Sequence, residues 1–185
     1  MKIGLVGEAP NDTNSIQNLL SKHYRDLVFV TLMDNINGSW LDHKKTIRRA
    51  LRIEYEELMP DLIIFIRDLG GLEGDKKAKR KRQETFTYSN RIIDKKGIHL
   101  LNIFEIEALI LSDIDVFNAR YNCELSGFGD PMLISMPKEF LITGSGKKFN
   151  ESHNPELFSL LNFNIVRGNC RYFAKFIKEF DKRLM

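Results

Sequence analysis

Short apolar runs alternate with longer stretches in which apolar residues recur every three or four positions, from the start of the chain to about residue 112. Such runs are typical of buried strands, and the longer stretches are typical of helices that bury one face. The pattern predicts strands at residues 2–6, 27–32, 61–68 and 98–103. It predicts helices at about residues 13–23, 43–58, 75–94, 104–112 and 170–182.

Strands that alternate with helices predict an α/β fold, in which a mainly parallel sheet is covered by helices on both faces. Residues 113–165 are less regular, because glycine and proline interrupt them repeatedly. We therefore expect a single domain over residues 1–185. Its α/β core lies in residues 1–112, and residues 113–185 form an irregular C-terminal elaboration.

Composition adds few constraints on function. The chain has 185 residues, of which 43% are hydrophobic, and a net charge of +3, which permits a polyanionic partner without requiring one. Its two cysteines, Cys123 and Cys170, form no CxxC pair, so we expect reduced thiols and no zinc site. The sequence has neither a signal-peptide pattern nor an apolar run of about 18 residues. These features predict a cytoplasmic protein that does not span a membrane.

Two common kinds of active site find no support in the sequence. No serine or cysteine lies in a nucleophile-elbow context, which argues against a serine or thiol hydrolase. The glycine-rich residues 144–148, GSGKK, lack the spacing of a P-loop and its serine or threonine. We therefore exclude nucleoside triphosphate binding at that segment.

Acidic residues follow two of the predicted strands. Glu8 comes directly after the first strand, and Asp68 ends the third. Ligands of α/β folds lie beyond the carboxyl ends of the strands, and Mg²⁺ prefers oxygen ligands. Glu8 and Asp68 are thus predicted to share one ion, or Glu8 acts beside it as a general base or acid. Asp12 fits equally well as a contributor to the site and as the N-cap of the next helix.

The predicted helix at 104–112 carries two acids among apolar residues. Buried carboxylates are costly unless they have a partner. Glu105 and Glu107 are two residues apart and therefore point to different sides of a helix. We expect Glu107 to be the buried, functional one, with Arg67 or a metal ion as its partner. In the alternative, one acid is exposed and the other caps the start of the helix.

A run of basic residues follows the second acidic strand end. It consists of Lys76, Lys77, Lys79, Arg80, Lys81 and Arg82. Basic side chains beside a carboxylate site would attract the phosphates of nucleic acid and make binding sensitive to salt. The alternative is a solvated helix face, which is the usual role of a charge run. Both interpretations stay open.

Several segments resemble one family. Residues 7–12, GEAPND, resemble the VEGP(T/S)(D/E) opening of TOPRIM domains. Residues 66–70, IRDLG, form a predicted strand end that resembles the second motif of these domains, an aspartate pair of the form DxD. Residues 104–113, FEIEALILSD, are similar to the IEAWLLAD segment of a TOPRIM-like bacterial group, the DUF4276 and RloB relatives. Residues 137–141 and 169–176 resemble the tail of that group. The resemblance covers nearly the whole chain.

The resemblance implies a Rossmann-like fold and a magnesium site. It makes Glu8 the motif glutamate and Asp68 the first motif aspartate. The chain departs from the pattern at Ala9, where a glycine is usual, and at Gly70, where the second aspartate is usual. The missing carboxylate is replaced by Glu73, Asp75 or Glu107, which the sequence does not decide.

The function that the resemblance implies is a nuclease or related phosphodiester enzyme that requires Mg²⁺ or Mn²⁺. Its expected catalytic residues are Glu8, Asp68 and Glu107, its metal ligands are these three and Asp75, and its substrate is DNA or RNA. Relatives often accompany an ATPase in anti-phage systems, so an ATPase encoded nearby is the expected partner. The alternative is an inactive TOPRIM-like subunit that binds such an ATPase or nucleic acid. The oligomeric state stays open.

Overall fold

Four parallel strands form the centre of the structure, a computed structural model that describes residues 1–34, 41–127 and 129–185, with only the backbone of Lys44 and Lys45. The strands are β1 (Lys2–Val6), β2 (Val28–Thr31), β3 (Leu62–Asp68) and β4 (Gly97–Asn102). They lie in the order β2-β1-β3-β4, and every neighbouring pair is parallel. The predicted α/β fold with a parallel sheet is confirmed.

Helices follow the strands in the predicted alternation. They are α1 (Pro10–Ser21), α2 (Lys44–Leu58), α3 (Lys76–Ile92), α4 (Ala108–Leu111), α5 (Ile114–Tyr121), α6 (Pro137–Gly144), α7 (Asn154–Leu160), α8 (Phe163–Asn169) and α9 (Arg171–Leu184). Short 3₁₀ turns cover Pro131–Leu133 and Glu151–His153. In the described ranges, no helix is long and apolar enough to cross a bilayer.

Both faces of the sheet are covered, as the sequence predicts. Alternate residues of a strand point to opposite faces, so Ile64 and Ile66 enter a core that includes residues of α1 and α9. Ile63 and Phe65 enter a second core with residues of α2. The C-terminal helices share the first core with the sheet, through side chains such as Phe180.

The order of the strands places a crevice between β1 and β3. The chain leaves β1 for β2 on one side of it and then returns to β3 on its other side, so the direction of winding reverses between these two strands. In open parallel sheets, ligands bind at the carboxyl ends of the strands at such a point. The acidic strand ends identified in the sequence lie at this crevice.

Two predicted boundaries are wrong. Helix α1 begins at Pro10, about three residues early, with Ala9 as its N-cap, because proline fits the first turn, where no N–H is needed. The predicted helix at 104–112 is helical only from Ala108 to Leu111. Its first residues form tighter turns, in which the carbonyl oxygens of Glu105 and Glu107 accept bonds from the N–H groups three residues ahead.

The elaboration after residue 112 contains more helix than the sequence indicated. Pro131, Pro137 and Pro155, which the pattern treats as interruptions, each lie in the first turn of a helical segment. Proline is well tolerated there, because the N–H it lacks has no helical partner in any case. These prolines therefore mark where short helices begin.

Candidate functional site

Glu8 and Asp68 meet at the carboxyl edge of the sheet, as predicted. β1 and β3 are neighbours, with Val6 beside Phe65, and each acid lies at or just beyond the end of its strand. The backbone N–H of Asp68 donates a hydrogen bond to Glu8 Oε1 at 3.3 Å. The prediction that these two residues occupy neighbouring strand ends is confirmed.

Four carboxyl groups influence one another at this edge, and we call them the carboxylate cluster: Glu8, Asp12, Asp68 and Glu107. Burial, followed by the charges of Glu107 and Glu8, raises the pKa of Asp12 to about 7. Burial also raises the pKa of Asp68 well above its usual range, with Asp12, Glu8 and Glu107 adding to it. Burial is likewise the main reason why the pKa of Glu107 is raised. Ionising the cluster fully is therefore costly.

Two asparagines support the cluster. Asn102 Nδ2 donates to Asp68 Oδ1 at 2.9 Å, and Asn154 Nδ2 donates to Glu107 Oε1 at 2.8 Å. Of the two partners predicted for Glu107, Arg67 or a metal ion, Arg67 is wrong, because a neutral amide from the start of α7 donates to Glu107 instead. In both asparagines the side-chain oxygen is buried and accepts no hydrogen bond within the described part of the chain.

Three positively charged side chains contact Asp42 instead. We call this group the arginine network, and it consists of Arg67, Lys81, Arg82 and Asp42. Arg67 Nη2 and Arg82 Nη1 donate to Asp42 Oδ1 at 3.0 and 3.1 Å, and Lys81 Nζ lies 2.9 Å from Asp42 Oδ2. Burial by itself raises the pKa of Asp42, but these three cations together lower it below its usual value.

Glu8 connects the two groups. Its Oε1 lies 2.9 Å from Arg67 Nε, although the Nε–H is not aimed well enough for a hydrogen bond. Arg82 reaches the same edge, because its Nε donates to the backbone oxygen of Asp68 at 2.9 Å. The acidic strand ends and the start of α3 are thereby joined.

The remaining predicted site residues, Asp75 and Glu73, are not members of the carboxylate cluster. Asp75 is the N-cap of α3, and its carboxylate accepts the N–H of Ala78 at 2.9 Å. Glu73 pairs instead with Arg171 and the hydroxyl of Tyr172. These acids are thus occupied by structural roles, which leaves Glu107 as the candidate replacement that lies in the carboxylate cluster.

The basic run divides into two groups. Arg80 pairs with Glu84 at 2.8 Å, and Lys81 and Arg82 belong to the arginine network. The rest of the run consists of Lys76, Lys77 and Lys79, which form no ion pair with any described residue. Lys76 and Lys77 are exposed. The first part of the run therefore carries positive charges that pair with no described acid.

Sequence reasoning missed several members of this edge. Asp42, Asn102 and Asn154 were not considered, and Asp12 was left undecided between site and cap. Asp12 is not the N-cap, which is Ala9, but its carboxylate accepts the N–H of Ala9 at 3.2 Å, and it also lies in the carboxylate cluster. Asn102 had a usable signal, since it ends β4 beside Asp68 just as Asp68 ends β3. Asn154 lies 47 residues from Glu107, and no sequence signal connects the two.

The side chains of the carboxylate cluster can be compared with those that hold divalent metal ions in proteins. Within residues 1–34, 41–127 and 129–185, no three side chains of histidine, cysteine, aspartate or glutamate are placed together closely enough to hold one ion. Mg²⁺, however, is usually bound through one or two carboxylates, with water and substrate phosphate completing its shell. Asp68, Glu8 and Asp12 offer only oxygen donors, so the chemistry of these side chains fits a hard cation held in that way.

Comparisons of the whole chain with protein-family models, curated proteins and solved structures find no significant match. The proposed function therefore rests on the carboxylate cluster and on the motifs in the sequence.

Proposed function

We propose that this protein is a TOPRIM-like nuclease, or a related phosphodiester enzyme, that acts on nucleic acid with Mg²⁺ or Mn²⁺. The observation that carries the proposal is the position of Glu8, Asp12 and Asp68 at the switch point of a parallel sheet. Strongly perturbed carboxyl groups in such a crevice are typical of functional sites. Free lysines at the start of the adjoining helix supply a surface for phosphates.

Each acid has a proposed role. Asp68 and Glu8 are the proposed metal ligands, with Glu107, fixed by Asn154, as a further ligand or a supporting acid. A bound divalent cation would supply Lewis-acid stabilisation of phosphoryl oxygens and a more acidic water. Asp12 is the proposed general base, because a group with a pKa of about 7 exchanges its proton readily near neutral pH. Asp75 is not kept as a ligand, since it caps α3.

The first experiment is a cleavage assay on DNA, RNA and tRNA with Mg²⁺ or Mn²⁺. We expect activity that falls about 10²-fold or more in Asp12→Asn and in the double variant Glu8→Gln and Asp68→Asn. Asp115→Asn is the matched control, since Asp115 is an exposed acid outside the cluster. Circular dichroism would verify that each variant folds. Full cleavage by the folded double variant would exclude this site.

A second candidate is an inactive TOPRIM-like subunit, which Gly70 favours. Gly70 takes the place of the second motif aspartate and has a left-handed backbone, with φ of 70°, which suits glycine better than most residues. Isothermal titration with Mn²⁺ separates the two candidates. Binding that is lost in Asp68→Asn supports the enzyme, whereas a wild-type protein that binds no metal supports the subunit.

The proposed biological setting is anti-phage defence in the cytoplasm, with a neighbouring ATPase as the partner. It rests on the resemblance of residues 104–113 and of the tail to the DUF4276 and RloB relatives. An ATPase gene beside this one in several genomes would support that setting, and unrelated neighbours throughout would remove it.

A further inference from the structure

A groove runs along the outer edge of β4, between α3 and α9, and has a volume of about 850 Å³. We call it the edge groove. Among the described residues, β4 is the last strand of the sheet and pairs only with β3. Apolar side chains of α3, β4 and α9 line the groove, namely Phe86, Leu101 and Phe176. It is separate from the carboxylate cluster, none of whose four residues lines it.

The outer edge of β4 presents main-chain groups to this groove. Ile63 N–H bonds to the oxygen of Lys96, and Leu69 N–H bonds to the oxygen of Asn102, so the even-numbered residues of β4 face β3. In a strand the intervening residues point their N–H and C=O groups the other way. Those of His99 and Leu101 therefore face the groove, and the described part of the chain offers them no hydrogen bond. Such an edge is a template for a further strand.

Both ends of this open edge are closed by the chain itself. At the start, Gly97 N–H donates to Asn90 Oδ1 at 2.7 Å, and the guanidinium of Arg183 donates to the oxygen of Lys95 at 2.8 Å. Beyond the other end, the oxygen of Ile103 accepts the N–H of Gly71 at 3.4 Å. The open window thus extends from His99 to Leu101 and offers up to four main-chain hydrogen bonds, two from each of these residues.

The charge of the groove identifies the chemistry that it would accept. Its basic residues are Lys79, Lys95, Lys175, Lys178, Lys182 and Arg183, and Glu179 is its one acidic residue among those described. Lys175, Lys178 and Lys182 form no ion pair within the described residues. A field of one sign favours a partner of the opposite sign and disfavours one of the same sign.

We propose that the edge groove binds an extended acidic segment of a partner protein, which adds to the sheet as a fifth strand beside β4. Its main chain pairs with His99 and Leu101, its apolar side chains contact Phe86 and Phe176, and its carboxylates face the lysines of α9. This inference does not depend on the proposed nuclease activity, since it concerns a different edge of the sheet.

Two other occupants fit less well. A second copy of this chain would bring two basic edges together, and like charges at an interface are unfavourable. Nucleic acid would satisfy the lysines, but its backbone offers phosphate and sugar oxygens rather than the alternating donors and acceptors that His99 and Leu101 require. A polypeptide strand with acidic side chains satisfies both the charges and the main chain.

The experiment measures the binding of a fluorescent eight-residue peptide in which glutamate alternates with valine, by fluorescence anisotropy. We expect saturable binding by the wild-type protein, weakened about tenfold by Lys175→Glu with Lys178→Glu. The matched control, Lys147→Glu with Lys148→Glu, makes the same charge change on an exposed loop away from the groove. It should alter the affinity less than twofold. A peptide in which lysine replaces each glutamate should not bind.

A second variant tests the main-chain contact. Leu101→Pro removes an N–H that faces away from β3, and an edge strand tolerates proline at such a position. We expect it to fold and to weaken peptide binding, while hydrogen exchange in the wild type shows new protection of the His99 and Leu101 amides on binding. Three results would overturn the proposal: no saturable binding of the peptide, equal loss in the control pair, or a protein dimer that Leu101→Pro abolishes. Lysine-dependent binding of an oligonucleotide without binding of the peptide would also overturn it.

Discussion

Asp12 and Asp42 are two aspartates near the same edge of the sheet, and their pKa values are shifted in opposite directions. Burial and neighbouring acids raise the pKa of Asp12 to about 7. Burial also acts on Asp42, but Lys81, Arg67 and Arg82 outweigh it and lower the pKa. The difference is caused by which charges lie nearby, because three cations lower the pKa of Asp42, whereas the charges that raise the pKa of Asp12 are those of Glu107 and Glu8.

The comparison identifies where an added cation would be favourable. Around Asp42 three cations already outnumber the one carboxylate, so a further positive ion would be disfavoured. In the carboxylate cluster, Asp68 and Glu107 accept hydrogen bonds from Asn102 and Asn154, which carry no charge, while Glu8 shares Arg67 with Asp42. A divalent cation that binds there would also make Asp12 easier to ionise. The arginine network, in which the chain itself supplies the cations, is in this sense the counterpart of the proposed metal site.

The largest expected effect on stability comes from removing Arg67, the cation that the carboxylate cluster and the arginine network share. Arg67 is 6% exposed and contacts both Glu8 and Asp42. Arg67→Met would leave these carboxylates without their most buried partner, and breaking a buried pair typically costs about 3–5 kcal/mol of the free energy of unfolding. Urea denaturation measures this loss.

Arg80→Met is the matched control for that variant. Arg80 pairs with Glu84 on the surface of α3, where the two side chains are 82% and 56% exposed. Exposed pairs contribute about 0.3–0.5 kcal/mol on a helix. Similar small losses in both variants would show that the arginine network is not a buried, mutually dependent group and would remove the contrast between Asp42 and Asp12.

The second effect concerns the pH dependence of stability. The pKa of Asp12 is about 7 in the folded protein and 3.8 in an unperturbed chain. Between these values the folded state holds a proton that the unfolded state has lost, so Asp12 makes stability fall as pH rises from about 4 to about 7. Asp12→Asn should therefore stabilise the protein at pH 8, by up to about 4 kcal/mol if the full shift is realised, and it should show a flatter pH profile.

Other titrating groups also change how stability depends on pH. The quantity to measure at each pH is therefore the difference in the free energy of unfolding between the variant and the wild type. His99 acts in the opposite direction, because burial lowers its pKa to about 4, from 6.5, and stability then rises with pH across that interval. Asp115→Asn, at an exposed position, is the control. A difference profile for Asp12→Asn that is flat between pH 4 and 7 would contradict the raised pKa.

The sequence was sufficient for the elements that local pattern determines. The strands and the helices that follow them were predicted to within a few residues, because periodicity and the residues at strand ends depend on near neighbours. The meeting of Glu8 and Asp68 followed from that alternation, since parallel strands end at the same edge. Asp75 as the cap of α3 is likewise a local effect, although it was predicted to be a ligand.

What could not be predicted depends on contacts between distant residues. Asn154 reaches Glu107 across 47 positions of the chain, and Arg67 reaches Asp42 across 25. Nothing in a single sequence indicates which distant residue will pair with a carboxylate, so Asn154 was not among the partners predicted for Glu107. The titration of Asp12 has the same origin, because burial and the charge of Glu107 appear only once the fold brings them together.

The smallest expected effect on stability belongs to the basic run, where paired and free charges can be compared directly. Lys76 and Lys77 are exposed and pair with no described residue, whereas Arg80 and Lys81 already pair with acids. If the free lysines contact phosphates, Lys76→Gln with Lys77→Gln should reduce the slope of log affinity against log salt by roughly 0.7–0.9 for each lost contact.

Stability should change by less than about 0.5 kcal/mol for each of these exposed substitutions. The measurement is titration of a single-stranded and a double-stranded oligonucleotide at several salt concentrations. Lys147→Gln with Lys148→Gln removes the same charge from exposed positions and should leave the slope nearly unchanged, because these lysines lie outside the basic run that follows Asp68. An equal change in both double variants would mean that the affinity reflects net charge alone, and the first turn of α3 would then be a solvated surface rather than a phosphate contact.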